Sequence, residues 1–534
     1  MTGRLTIVRA VFLAAVAITI WLDIRRPRPT RERAQILLGA WSALMIAFVV
    51  FLWFNHVNFA GHLDLMEGVI LQHVTQAAHG LAVYPAPTPA YVPLAYNPLY
   101  YYIAVPFTWV MGLDLPALRV VAILGMALAG YVIYAAVQER TQSAWWGLIA
   151  LAFYATAYRV MDAYLDTAHS DSWLIAAALA GTFVVGRSET RLGRLMGVVL
   201  LVISFWFKQH GALFAIGGVL YLTWREGIAK SWPYWLVAIV LGPVLYAIAP
   251  LGVDFHYFTW DVPRGWSKVN LETFARLLRF VAGNYLPLFL AATVYLINTE
   301  WRERGAAERH LNRPVEQRVS GASTRRGAAK WTVWHVQFIM ACLTAFMGSL
   351  DWGSSDNVFI PFGAFTIVVG TFGLAEIKAR ILQAAAVAIA FTPLTYAPQT
   401  VIVSRHSHEA LADLKSTVHA LPGSVYAPSI GQYAGQPIFS PGAHWVAVED
   451  MARGPGHDST DEAKAFALLD PALHPTGKEY VLTTRPLSAM PPPLSLLNPH
   501  YALAQDYGDR FIALTGLPKR YNHGFPRYLY EFRQ

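Results

Sequence analysis

Residues able to do acid–base or anion chemistry gather in a few short stretches of this chain. The first reads Gly61-His62-Leu63-Asp64-Leu65-Met66-Glu67-Gly68 and continues through Gln72, His73, Gln76 and His79 to Gly80. The second holds Asp162, Asp166, His169, Asp171 and Ser172. A carboxylate placed beside a hydroxyl can take its proton, and two or three carboxylates together can hold a hard divalent cation. Each group also has a plain structural use. Asp64-x-x-Glu67 has capping-box spacing, and Asp171 stands where an N-cap would stand. Glu67 is followed by Gly68, a poor helix former that lets a ligand or another backbone approach closely. Lys208-Gln209-His210-Gly211 interrupts a long apolar stretch, so Lys208 either snorkels to the interface or meets an anion such as a phosphate. Asp351 to Asn357 is a polar turn between two apolar runs, with an ordinary tight loop as its simplest reading.

The elements that must position these groups lie in a membrane. Of 534 residues, 55% are hydrophobic and 14% charged, against about 45–50% and about 25% in soluble domains. Apolar runs fall near 7–22, 34–54, 98–112, 118–137, 144–158, 172–187, 192–207, 210–224, 232–250, 279–297, 331–349, 357–375 and 379–397, many of them near the ~20 residues a spanning helix needs. This excludes a cytosolic enzyme, a disordered chain and a nucleic-acid-binding module. The net charge of +8 comes from basic residues in short loops, including five arginines within 24–33 and the stretch 298–330, as the positive-inside bias expects. The opposite loops, including 55–97, 159–171 and 251–278, then carry the acids and aromatics. Parity holds if 98–112, interrupted by Pro106, lies in or dips into the interface rather than crossing. The one cysteine, Cys342, gives no disulfide framework.

Residues 66–81 have apolar positions at helical spacing, with Gln72, His73, Gln76 and His79 on the wetter side, as in a helix lying flat on a membrane. After about 400 no run can span. Gly423 to Ala427 and Glu479 to Thr484 read as strands and Glu409 to His419 as a helix. The expected organisation is an N-terminal helix and basic loop (1–33), an all-α polytopic core of about 11–13 transmembrane helices with amphipathic juxtamembrane helices (34–397), and a small extracytoplasmic α/β domain (398–534). No P-loop, dinucleotide fingerprint, HExxH or Gly-x-Ser-x-Gly is present, and the histidines lack zinc-site spacing.

In this order, the motifs resemble those of the GT-C superfamily of polytopic membrane glycosyltransferases, which includes protein O-mannosyltransferases, oligosaccharyltransferase catalytic subunits and the lipid A aminoarabinose transferase. The likeness rests on Asp64, Glu67-Gly68, Gly80, Tyr84-Pro85, Tyr96-Asn97-Pro98-Leu99-Tyr100-Tyr101-Tyr102, Asp171-Ser172, Phe205 to Gln209 and Gly353 to Asn357, and covers roughly 34–397. It implies transfer of a sugar from a polyprenyl-phosphate carrier to an acceptor on the outer face of the plasma (inner) membrane, with a first-loop acid as base or metal ligand. One departure stands out: the family's usual catalytic Asp precedes the Glu, where this chain has Met66. The expected catalytic residues are therefore Glu67, Asp64 and Asp171. Lys208, Gln209, Tyr96, Asn97, His169, Asp356 and Asn357 are expected to contact substrate. Asp166 and Asp171 are candidate ligands of a divalent cation (Mg or Mn), and no other cofactor is expected. The competing readings are a transporter or channel with an acidic outer vestibule and a non-catalytic membrane assembly subunit. A transporter would more usually place its ionisable groups at mid-membrane in paired broken helices.

Overall fold

The computed structural model describes residues 2–25, 33–266, 271–311, 331–351, 355–428, 443–452, 466–475, 477–490, 494–514 and 525–533. Most of the arginines of 24–33, residues 312–330 of the basic loop, and Gly353 lie outside the described residues.

The core is built from α1 (Thr2–Ile24), α2 (Arg33–Val57), α3 (Met66–Ala78), α4 (Leu99–Met111), α5 (Leu115–Thr141), α6 (Ala144–Thr156), α7 (Asp171–Arg187), α8 (Arg191–Phe207), α9 (Gly211–Glu226) and α10 (Ile228–Ile239). A π turn over Val240–Val244 leads into α11 (Leu245–Ile248). Then come α12 (Val262–Trp266), α13 (Leu271–Phe280), α14 (Leu286–Leu311), α15 (Val333–Ser349), α16 (Ile360–Ala375) and α17 (Arg380–Leu394). Seven helical stretches among the described residues are long and apolar enough to cross a membrane: Leu5–Ile24, Arg33–Val57, Leu115–Thr141, Ile228–Ile248, Leu271–Asn298, Asp356–Ala375 and Arg380–Thr400. The chain is a multi-pass membrane protein. The shorter α7 and α8 pack on each other through small residues: a Cβ on Gly181 would meet the Gly197 carbonyl oxygen at 2.8 Å, so the two backbones can approach only as glycines.

Side-chain bonds fix which helix ends share a face. Arg119, in the first turns of α5, donates to the carbonyls of His56 and Phe59 at the end of α2. Lys208, just past α8, meets Asp171 at the start of α7, and Asn97 donates to the Phe205 carbonyl. Arg9 of α1 donates to Pro393 and Thr395 at the end of α17. Asn55 exchanges two hydrogen bonds with Val403. Both ends of α4 therefore lie at this face. Its 13 residues extend about 20 Å.

The tail contributes α18 (Arg405–His419), α19 (Trp445–Ala452), α20 (Asp470–Leu473), β1 (Ser424–Tyr426), β2 (Glu479–Thr483), β3 (Tyr501–Asp506) and β4 (Tyr528–Phe532). The sheet order is β1-β2-β4-β3, with β1 parallel to β2 and the other pairs antiparallel. The tail shares its core with the segment between α2 and α4. Trp445, Val448 and Met451 belong to one apolar cluster with Val69, Tyr84 and Leu94, and Leu411, Leu414 and Phe511 to another with Phe59 and Leu63.

Candidate active site

The amphipathic pattern of α3 gives the helix correctly but misplaces its polar side. Gln72 is 4% exposed and His73 fully buried, the latter covered by Tyr91 and Leu94 of the segment 91–96. His73 Nδ1 donates to the Val69 carbonyl (2.7 Å), and Nε2 accepts from the Leu94 amide (2.7 Å). That arrangement requires a neutral ring, and burial lowers the His73 pKa to about 4. His79 alone of the four polar residues is exposed.

Asp64 and Glu67 share the work of a helix start without forming the expected capping box. Asp64 Oδ1 accepts from Met66 N (2.9 Å), while Glu67 Oε2 reaches back to Leu63 N (2.7 Å). Asp64 Oδ1 also accepts from the Tyr164 hydroxyl (2.9 Å). Burial, and then the charge of Asp64, hold the Tyr164 phenol well above its usual pKa, which keeps it a donor.

Tyr164 belongs to the loop between α6 and α7, a succession of turns. Its neighbours Asp162 and Ala163 both have left-handed φ, 59° and 56°, a conformation that costs a non-glycine residue energy. The Ala163 amide donates to Tyr158 (2.9 Å) and its carbonyl accepts from Thr167 Oγ1 (3.0 Å), so the surrounding bonds enforce the twist. Beyond it, Asp166 and Asp171 acquire different partners. Asp166 takes His56 Nδ1 (2.7 Å) and the Tyr158 hydroxyl (2.6 Å). Asp171 is not an N-cap: the cap position is Ser170. The Asp171 carboxylate meets Lys208 Nζ at 3.0 Å through Oδ1, and His169 Nδ1 at 2.5 Å and Asn357 Nδ2 at 3.2 Å through Oδ2.

Lys208 does not snorkel: it is 4% exposed and, in this structure, paired with the protein's own carboxylate. The chain can turn here because residue 211 is glycine; a Cβ on Gly211 would fall 2.2 Å from the Ser204 backbone. The ammonium also sits 4.9 Å from the centre of the Tyr96 ring, within cation–π range. Tyr96 and Tyr164 each set a ring edge against His169, with centroids at 4.9 and 5.2 Å. Asp64, Tyr164, His169, Tyr96, Lys208, Asp171 and Asn357 thus form one continuous set drawn from four segments. His169 Nε2 is buried with no hydrogen-bond partner among the described residues.

The other expected contacts surround this set. Gln209 Nε2 donates to the carbonyls of Ala95 and Thr259 (both 2.9 Å), and Asn97 ties the segment ahead of α4 to α8. Asp356 pairs with Arg276 at 3.5 Å, one residue from the site through Asn357. Among the described residues, no three His, Cys, Asp or Glu side chains come together as a metal centre. Glu67 is fully buried and bound by Arg119, by Leu63 N and by Ala168 N (3.0 Å), which places it against the loop between α6 and α7, just ahead of His169. Arg119, Tyr164 and His56 were not singled out from the sequence. An arginine within an apolar run was the available signal for the first; nothing local marked the other two.

No family profile matches this chain, and no curated protein matches it. Among solved structures it is similar to ArnT from Cupriavidus metallidurans in the apo state, with a TM-score of 0.52, 13% identity, and coverage of 92% of this chain and 98% of that chain. The same holds for ArnT from Cupriavidus metallidurans bound to undecaprenyl phosphate, at 12% identity and the same TM-score and coverage. The likeness shows that the chain shares the fold of these structures.

Proposed function

We propose that this protein transfers a sugar from a polyprenyl-phosphate carrier to an acceptor at the non-cytoplasmic face of the plasma membrane. The observation that carries the reading is the convergence of Asp64, Asp171 and Lys208, from separate loops, around Tyr96 and His169 at one end of the helices. That a structural neighbour is described bound to undecaprenyl phosphate supports a lipid phosphate as the group Lys208 meets. The tail, packed on the first outer loop, is suited to presenting the acceptor.

In this mechanism the acceptor hydroxyl attacks the anomeric carbon while its proton passes to Asp64. The bond from that carbon to the phosphate oxygen breaks, and the electron pair leaves with the polyprenyl phosphate. Lys208 offsets the charge that develops on the departing phosphate. In the ligand-free protein Asp171 holds that ammonium in place, and Asn357 and His169 hold Asp171. Tyr164 orients Asp64 by its hydroxyl. Asp166 and Asp171 accept from His56, Tyr158, Lys208 and Asn357, a protein donor set that does not suit a divalent cation. The test is turnover by the purified full-length protein in nanodiscs, with a panel of polyprenyl-phosphate sugars and cell-envelope acceptors. Release of free polyprenyl phosphate with at least one donor is expected; a panel in which none is consumed overturns the proposal.

A further inference from the structure

Glu67 heads the expected catalytic acids, yet its bonds lead away from that role. The side chain is fully buried, and so is Arg119. A guanidinium has five N–H donors, and five hydrogen bonds leave Arg119. Nε donates to Glu67 Oε1 (2.8 Å), Nη2 to Glu67 Oε2 and the Gly61 carbonyl (both 2.5 Å), and Nη1 to the carbonyls of His56 (2.8 Å) and Phe59 (2.5 Å). Glu67 fills its remaining capacity with Leu63 N at Oε2 (2.7 Å) and Ala168 N at Oε1 (3.0 Å). Each carboxylate oxygen already accepts two hydrogen bonds, which leaves no lone pair for the proton of an acceptor hydroxyl.

We infer that Glu67 and Arg119 are positioning residues, which fix the first outer loop against the second and thereby set Asp64 relative to His169, Asp171 and Lys208. The pair joins five pieces of backbone: the end of α2 and the residues after it at 56–59, the loop at 61–63, the first turn of α3, the first turns of α5, and Ala168. Asp64 lies three residues before Glu67, and His169 directly follows Ala168. Moving either member moves both sides of the site. Burial works to raise the Glu67 pKa, but the charge and hydrogen bonds of Arg119 outweigh it and hold the carboxylate below its ordinary value, so the anion persists as a structural group. The inference rests on the reading of the site given under Proposed function.

The experiment uses the full-length protein with Glu67→Gln, Glu67→Asp, Arg119→Gln and the double variant Glu67→Gln/Arg119→Gln. Two readouts are taken: steady-state turnover against pH, and backbone hydrogen exchange over 159–170. A shift of about 1 Å in a reacting group can cost on the order of 100-fold. Glu67→Gln and Arg119→Gln should therefore each lower kcat by a similar factor, up to about 100-fold, with the donor KM nearly unchanged and the acid limb of the pH profile in place. Glu67→Asp, which keeps the charge, should recover part of the loss. The double variant should be little worse than either single, as expected of residues acting as one unit. Exchange over 159–170 should rise in both singles. Loss of the acid limb in Glu67→Gln, with Arg119→Gln near wild-type turnover, would make Glu67 the base and overturn the inference. Unchanged exchange over 159–170 would overturn it independently, even for a protein that consumes no lipid-linked sugar. Failure of the wild type to turn over would count against the proposed function alone.

Discussion

Replacing Lys208 by methionine removes one charge from the centre of the site while keeping much of the side chain's bulk. The ammonium is 4% exposed, 3.0 Å from Asp171 Oδ1 and 4.9 Å from the Tyr96 ring centre. Burial on this scale removes most solvent screening, so its interaction with a phosphate oxygen at a comparable distance is of the order of 4 kcal/mol for an effective dielectric near 20. Only the part that grows as the phosphate departs speeds the reaction. One preorganised donor is worth about 10²–10³ in kcat, or about 2.7–4 kcal/mol. Lys208→Met should accordingly lower kcat by about 10²–10³, measured as polyprenyl phosphate released by the full-length protein. Stability provides a second axis. Asp171→Asn leaves Lys208 as a buried cation without its counter-charge, a change that costs about 3–5 kcal/mol. Lys208→Met/Asp171→Asn removes both charges and should unfold at a higher temperature than Asp171→Asn alone. Turnover of Lys208→Met within about threefold of wild type would mean that it supplies well under 1 kcal/mol to the transition state, and the phosphate role would be refuted.

Asp64→Asn should lower kcat by about 10²–10⁴, the usual contribution of a positioned base, and should abolish the acid limb of the kcat/KM profile; a retained limb would transfer the base role to another group. His73 provides a pH test of the fold. Its buried pKa of about 4 lies below the ordinary 6.5, so its neutral bridge is unpenalised above pH 6.5. Below that, protonation favours the unfolded chain by about 1.4 kcal/mol per unit down to pH 4. Thermal unfolding between pH 7 and 4.5 should therefore fall less steeply in His73→Gln than in wild type, and equal slopes would contradict the assignment. Dialysis against a chelator should leave turnover intact, because Asp166 and Asp171 are engaged by protein donors; loss that Mg or Mn restores would return the cation to the site.

The membrane architecture was legible because it is written in one-dimensional quantities: run length, charge bias and the position of Pro106. The tail was less so. Its first two strands were recognisable from β-branched and aromatic residues, but Tyr501–Asp506 and Tyr528–Phe532 carry mixed polar patterns that acquire meaning only in the sheet. Nor could the sequence tell that the tail would share its apolar core with the segment between α2 and α4. The polar face assigned to α3 failed for the same reason. An amphipathic helix shows which residues differ in character, and a segment folding over it from 91–96 decides which side remains wet. His73 reads as an interfacial histidine until its two nitrogens are seen spanning Val69 and Leu94.

The candidate site was legible in its residue types and not in its pairings, and the pairings separate the roles. Glu67 and Asp171 look alike in the sequence: each is an acid at the start of a helix, and each turns out to be buried beside a cation. Their cations differ in a way that matters. Arg119 is a rigid fork held by five hydrogen bonds, and a ligand that displaced Glu67 from it would have to replace several of them at once. Lys208 makes one hydrogen bond to Asp171, through a flexible stem and a point-like ammonium. A departing phosphate therefore competes with a single contact for Lys208 but with an entire framework for Arg119. Meanwhile Asn357 and His169 remain to hold Asp171 when the lysine turns away. A charge that must exchange partners during a reaction is better carried by the lysine. The fully committed arginine is suited to the part of the site that must not move.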